Sequence, residues 1–218
     1  GSTIDDSTGY NNDGISTGTN PTSGGKIDGA QLYNGNDRIV VENFTHSPNG
    51  LTVEAWVYRD NTSFVYITCK GVYSLTSTDW ILYLRNNQPA GNGIDFSIQN
   101  HSSFIRTGDT PMGQWFYLTA TYDSGDASLY LNATQIGTAS GWPSIPNTYP
   151  HLGIGNDYQG TEGEYYPMTD VRLDELRVSS IARSRGWITN CYNNQNDPAG
   201  YYSLGSQEQV PTTNEPPL

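Results

Sequence analysis

The sequence is short of cations. Its 218 residues carry 10 Lys and Arg against 22 Asp and Glu, a formal net charge of -12. A chain that neutralises phosphates needs a basic face, so nucleic acid is excluded as a partner. Cysteine is nearly missing. Cys69 and Cys191 allow one disulfide or none. Apolar neighbours such as Ile67, Trp187 and Ile188 suggest two buried free thiols, with the disulfide left open. No apolar run approaches the roughly 20 residues of a membrane-spanning helix, so membrane insertion is not expected. Lys, Arg, Glu and Leu, the fillers of helices, are also scarce. What abounds is Gly (24) and Tyr (16), and aromatics make up 12% of the chain. Disordered chains lack aromatics and β-branched runs, so most of this chain should fold. Its composition is that of strands and turns.

Short strand-like segments recur between turn clusters. They are 30–33, 38–42, 52–58, 64–70, 80–85, 93–98, 103–107, 115–122, 127–132, 134–138, 151–154 and 171–179. Many short strands at this spacing predict an antiparallel sandwich or barrel. One helical pattern spans Ser184–Asn193, where Trp187, Ile188, Cys191 and Tyr192 would share a face. Two strands show both faces. Val53, Ala55 and Val57 alternate with Glu54, Trp56 and Tyr58. Phe116, Leu118 and Ala120 alternate with Trp115, Tyr117 and Thr119. One face of each is core. The other, aromatic among polar groups, is either a second buried layer or the floor of a ligand-binding face.

Residues 1–3 read as a lead, with Gly1-Ser2 as the remnant of a cleavage. Residues 206–218, rich in Gln, Glu, Pro and Thr, read as a linker or tail. A domain over 4–205 is expected, as a module of a larger secreted protein at the cell surface or outside the cell. Asn-x-Ser/Thr sequons stand at Asn43, Asn61, Asn100 and Asn132, a number an Asn- and Thr-rich chain produces by chance.

Five segments resemble the laminin-G-like, concanavalin A-like family in its bacterial and archaeal form. They are Asp6-Ser7-Thr8-Gly9-Tyr10-Asn11-Asn12-Asp13-Gly14, the run from Gly25 to Gly35, Leu51-Thr52-Val53-Glu54-Ala55-Trp56-Val57, Trp115 to Asn132, and Leu173-Asp174-Glu175-Leu176-Arg177-Val178 with Ala182-Arg183-Ser184. They occur in the family's order. Asn132 and Ala133 depart from its usual Asp-Gly turn, and Phe116-Tyr117 from a His-containing pair. The resemblance implies an all-β, antiparallel two-sheet jelly-roll sandwich with one short C-terminal helix. It does not fix a ligand, because the fold hosts lectins, adhesion domains and glycan-cleaving enzymes.

Asp174, on a regular strand, would share a face with Leu176 and Val178, where a carboxylate needs a partner. The family implies a calcium ion (Ca²⁺) joining the N-terminal loop to the last strand. Carried over, its ligands are Asp6, Asn12 and Asp174, with the carbonyl of Gly29. The rival reading has Asp6 and Asn12 capping turns and Asp174 paired with Arg172 or Arg177. Nothing closes an EF-hand loop after Asp6.

Catalysis is not expected. Retaining glycosidases need two carboxylates about 5–5.5 Å apart. The family's hydrolase string, Glu-x-Asp-x-x-Glu, does not occur, and His46, His101 and His151 are scattered. Aromatics with amides and carboxylates in loop-like stretches suit sugars instead, by CH/π stacking and polar contacts. The candidate ligand-binding residues are Trp142, Asp157, Tyr158, Glu162, Glu164 and Tyr165. A non-catalytic, calcium-stabilised lectin-like module for a polysaccharide or cell-surface glycan is expected. Its rival is a structural or adhesion domain contacting protein, including other domains of its parent.

Overall fold

The structure is a computed structural model describing residues 1–62, 64–71, 78–85, 93–99, 102–155 and 168–202. The described residues form fifteen strands, all paired antiparallel. They are β1 (Thr3–Ile4), β2 (Gly14–Thr17), β3 (Asn20–Thr22), β4 (Ala30–Gly35), β5 (Arg38–Val41), β6 (Gly50–Arg59), β7 (Val65–Gly71) and β8 (Thr78–Leu84). Then come β9 (Gly93–Ile98), β10 (Ser103–Asp109), β11 (Trp115–Asp123), β12 (Asp126–Leu131), β13 (Thr134–Ala139), β14 (Leu152–Gly155) and β15 (Met168–Ser179). Two helices follow, α1 (Arg185–Asn196) and α2 (Pro198–Tyr201), where one was expected.

One sheet runs β1-β2-β5-β14-β7-β8-β9-β10 and the other β13-β12-β11-β6-β15-β4-β3. This is the expected two-sheet sandwich, and each of the twelve expected strands is present. The pattern missed β1, β2 and β3. They are too short to show alternation, and β3 carries Pro21. Proline is tolerated there because β3 is an edge strand, where a lost N–H breaks no ladder.

The inner faces of both sheets make one core, with Leu51, Val53, Ala55, Val57, Leu82, Phe96 and Leu118 fully buried. The opposite face of the seven-stranded sheet is covered too. Trp56, Tyr117 and Tyr130 pack there with Ile188 of α1, and Cys191 and Tyr192 lie against them. The aromatic alternation of β6 and β11 is thus a second buried layer. Trp56 Nε1 donates to Gln195 Oε1 at 2.6 Å, which satisfies the one polar atom of a buried indole. The buried stripe of α1 is Ile188 and Gln195, whereas Trp187 is exposed, against expectation. Cys69 and Cys191 are free thiols, the first buried and the second half-buried.

β15 corrects the expected setting of Asp174. Glu175 takes φ 51°, and the register to β6 slips between Asp174 and Arg177. A bulge of this kind places two consecutive residues against one. Leu173 therefore faces the core, as do Leu176 and Val178 beyond the bulge. Asp174, opposite Trp56, belongs to the α1 face instead.

Candidate functional site

The outer face of the eight-stranded sheet carries a buried polar cluster. Arg106, Asp95 and Tyr83 sit in one cross-strand row, because β10, β9 and β8 pair Arg106 with Asp95 and Asp95 with Tyr83. The Asp95 carboxylate is fully buried. It accepts from Tyr83 Oη (2.8 Å), Arg85 Nε (2.7 Å) and Arg106 Nε (2.8 Å), and Arg106 Nη2 lies 2.7 Å away. Such a charge is tolerable only when paired and hydrogen-bonded, as here. Asp95 in turn holds the Arg106 guanidinium more firmly protonated than usual. Arg85 also donates to the carbonyl of Thr107. Its side chain is almost buried, whereas that of Arg106 is 45% exposed. Two residues earlier on the same face, Phe104 is 52% exposed, and the Arg106 guanidinium lies 5.1 Å from its ring centroid. The result is a pinned cation lying over one face of a half-exposed flat ring, on a strand and not on a loop.

A second buried pair ties down the segment before β14. Lys70 Nζ lies 3.4 Å from Asp79, donates to Asn147 Oδ1 at 2.7 Å, and reaches the carbonyl of Tyr149. Asp79 accepts from the backbone N–H groups of Thr148 and Tyr149. An open depression of about 230 Å³ lies beside it, lined by Asn43, Phe44, Thr45 and Asn147–Pro150.

The expected metal ligands fall in two places. Asp6 folds its own loop: its carboxylate accepts from the N–H and hydroxyl of Thr8 and the N–H of Asn12. Burial alone would raise its pKa, but these hydrogen bonds prevail and lower it. Asp174 accepts from the N–H of Ile27 at 2.8 Å, and burial outweighs its hydrogen bonds to raise its pKa. It pairs with neither arginine of the rival reading. Arg177 lies against Glu54 and Glu175, and Arg172 lies over Tyr58. Asp6 and Asn12 belong to the loop before β2, and Asp174 and Gly29 to the opposite sheet. Both sets lie at one end of the sandwich. β4 starts beside Gly29, and β5, which returns from β4, ends opposite Gly14. Carboxylates and carbonyls suit a hard cation, and a carboxylate has about four lone-pair positions, so the N–H donors leave room. Among the described residues no three His, Cys, Asp or Glu gather around one point.

Trp142 is partly buried and lies on the core, its ring 5.8 Å from that of Phe96. Asp157, Tyr158, Glu162, Glu164 and Tyr165 lie outside the described residues. Phe104, Arg106 and Asp95 were not singled out from the sequence. The Phe-x-Arg alternation on an expected strand was the available signal.

A family model for the concanavalin A-like lectin/glucanases superfamily matches residues 33–189, well over half the chain. The chain belongs to this superfamily. No curated protein sequence matches it. Among solved structures, this superfamily member is similar to the binding domain of Paraclostridial Mosquitocidal Protein 1. The TM-score is 0.67 at 15% identity, over 88% of this chain and 49% of that one. The binding domain of botulinum neurotoxin serotype G gives 0.65 at 14%, over 88% and 48%. Domain 4 of AbnA, a GH43 extracellular arabinanase from Geobacillus stearothermophilus solved with arabinotriose, gives 0.57 at 17%, over 80% and 81%. The superfamily member thus spans about half the length of the two toxin domains and most of the arabinanase domain. At these identities the likeness shows the jelly-roll fold. Two of these neighbours are named as binding domains, and the third as domain 4 of an arabinanase.

Proposed function

We propose that the chain is a non-catalytic glycan-binding module of a larger secreted protein. The observation that carries this is the half-exposed Phe104 ring beside Arg106, fixed on β10 through buried Asp95. A flat apolar ring stacks on the CH face of a pyranose, and a fixed guanidinium donates to hydroxyl or acid oxygens. The neighbours support the reading, since one was solved with an arabinan fragment and another concerns toxin entry through ganglioside molecules. Asp157, Tyr158, Glu162, Glu164 and Tyr165 belong to the same proposal as further ligand-binding residues, read from the sequence. Calcium belongs to the same proposal as a fold-stabilising ion held by Asp6, Asn12, Asp174 and the Gly29 carbonyl.

A glycan array run with calcium and with chelator tests both parts. Binding that Phe104→Ala reduces about tenfold supports the module. A blank array with well-folded protein in both conditions rejects it. One observation favours protein contact as a second reading. Ile181, Trp187, Tyr201 and Tyr202 are all large, exposed and confined to the C-terminal segment.

A further inference from the structure

Among the described residues, two guanidiniums converge on one buried carboxylate, Asp95, in a chain of net charge -12. The guanidiniums are not equivalent. Arg85 is almost buried and also engaged with Thr107, whereas Arg106 is nearly half exposed. Asp95 takes Nε and Nη2 of Arg106, both on its Oδ2. Nη1 stays outside those bonds, and guanidinium carries five N–H donors in a fixed plane. The side of the fork that Asp95 grips is the anchor. The Arg106 side chain is still 45% exposed, with its guanidinium over the ring of exposed Phe104.

We propose that Phe104 and Arg106 form a subsite for a sugar that carries a carboxylate. This rests on the glycan-binding reading and names its ligand class. Planar guanidinium and planar carboxylate match edge to edge, whereas a neutral hydroxyl offers only single contacts. Pinning by Asp95 removes much of the entropy that a free arginine loses on binding. The Phe104 ring takes the sugar's CH face and sets the acid beside Arg106. A single cation in a strongly acidic protein suits one acid group on one residue. A polyanionic chain would meet repulsion from the remaining surface.

The test is an NMR titration of the isotope-labelled full chain with a glucuronic-acid-terminated trisaccharide and its glucose-terminated counterpart. The acidic sugar should bind about tenfold tighter, a ratio that one charge-assisted pair can supply. Amide shifts should concentrate on β9 and β10. Arg106→Gln should abolish the preference with at most a small drop in melting temperature, because Asp95 keeps Arg85 and Tyr83. Arg106→Lys keeps the charge without the fork, and should lose most of the preference even if the glutamine variant folds poorly. Phe104→Ala should weaken both sugars. Equal affinity for the two sugars, or a preference that survives Arg106→Gln, overturns the acid subsite and leaves the glycan reading standing. Tighter binding of a sulfated counterpart overturns the carboxylate assignment. No shift with any sugar overturns both.

Discussion

Asp95 shows how one residue can be both structural and functional. Its carboxylate is wholly buried and holds Arg85 and Arg106 through three strands. Removing the carboxylate charge that two guanidiniums share should cost about 3–5 kcal/mol, the range for breaking a buried pair. Asp95→Asn should therefore shift the urea midpoint strongly. Arg106→Gln, half exposed, should cost about 1 kcal/mol or less. Equal losses in the two variants would show that Arg106 is as structural as Asp95. Asp95 was not legible in the sequence because its partners lie 10 and 11 residues away on neighbouring strands. Only register brings them together. His46 is the second residue with a measurable signature. It is buried against Trp80, with Nδ1 2.8 Å from the carbonyl of Ser47. Burial lowers its pKa, Lys70 adds to this, and the Ser47 carbonyl and Asp79 oppose it without prevailing. A depressed histidine binds fewer protons when folded. Its stability contribution is present above the unfolded pKa of about 6.5 and is lost as pH falls through the folded value. Urea midpoints should fall below about pH 6.5, and His46→Gln should flatten that slope.

At the scale of elements, α1 is the part whose role the sequence left open. It converts the polar-aromatic side of β6 and β11 into a buried layer. The helix starts at Ser184, whose hydroxyl accepts from the N–H of Trp187, and its far end reaches Trp56 through Gln195. Gln195→Ala leaves a buried indole N–H unpaired and should cost about 1–3 kcal/mol. Ser184→Ala should cost about 1 kcal/mol, the typical worth of an N-cap. Chemical denaturation followed by tryptophan fluorescence reads both, and a negligible effect of Gln195→Ala would show that α1 does not seal Trp56. The 3.6-residue pattern found this helix yet put Trp187 on the wrong side. A pattern that counts apolar residues cannot see that Gln195 is buried by its hydrogen bond. Strand β15 failed for a related reason. Alternation assumes a regular pleat, and the bulge at Glu175 turned Asp174 toward α1. The other expected strands were legible because turn residues flank them and they are rich in β-branched and aromatic residues.

At the scale of the whole molecule, the N-terminal loop and the last strand are carried on opposite layers of the sandwich. The N-terminal loop of Asp6 and Asn12 and the Asp174–Gly29 region sit at one end of the sandwich on opposite sheets. A calcium ion held between them would bind only the folded chain. Its contribution is then RT ln(1 + [Ca²⁺]/Kd), about 2.7 kcal/mol at a hundredfold excess over Kd. For a domain of this size each kcal/mol is worth about 2–4 °C, so saturating calcium should raise Tm by about 5–10 °C. Chelator should remove that increment. Asp6→Ala and Asp174→Ala should each abolish the response to calcium, beyond any loss of basal Tm from their hydrogen bonds to Thr8, Asn12 and Ile27. The response to calcium, not the basal Tm, is the discriminating readout, because either carboxylate also holds its own loop. A Tm indifferent to both calcium and chelator would mean that Asp6 and Asp174 serve only those loops. The sandwich would then hold its two ends together by packing and N–H donors alone.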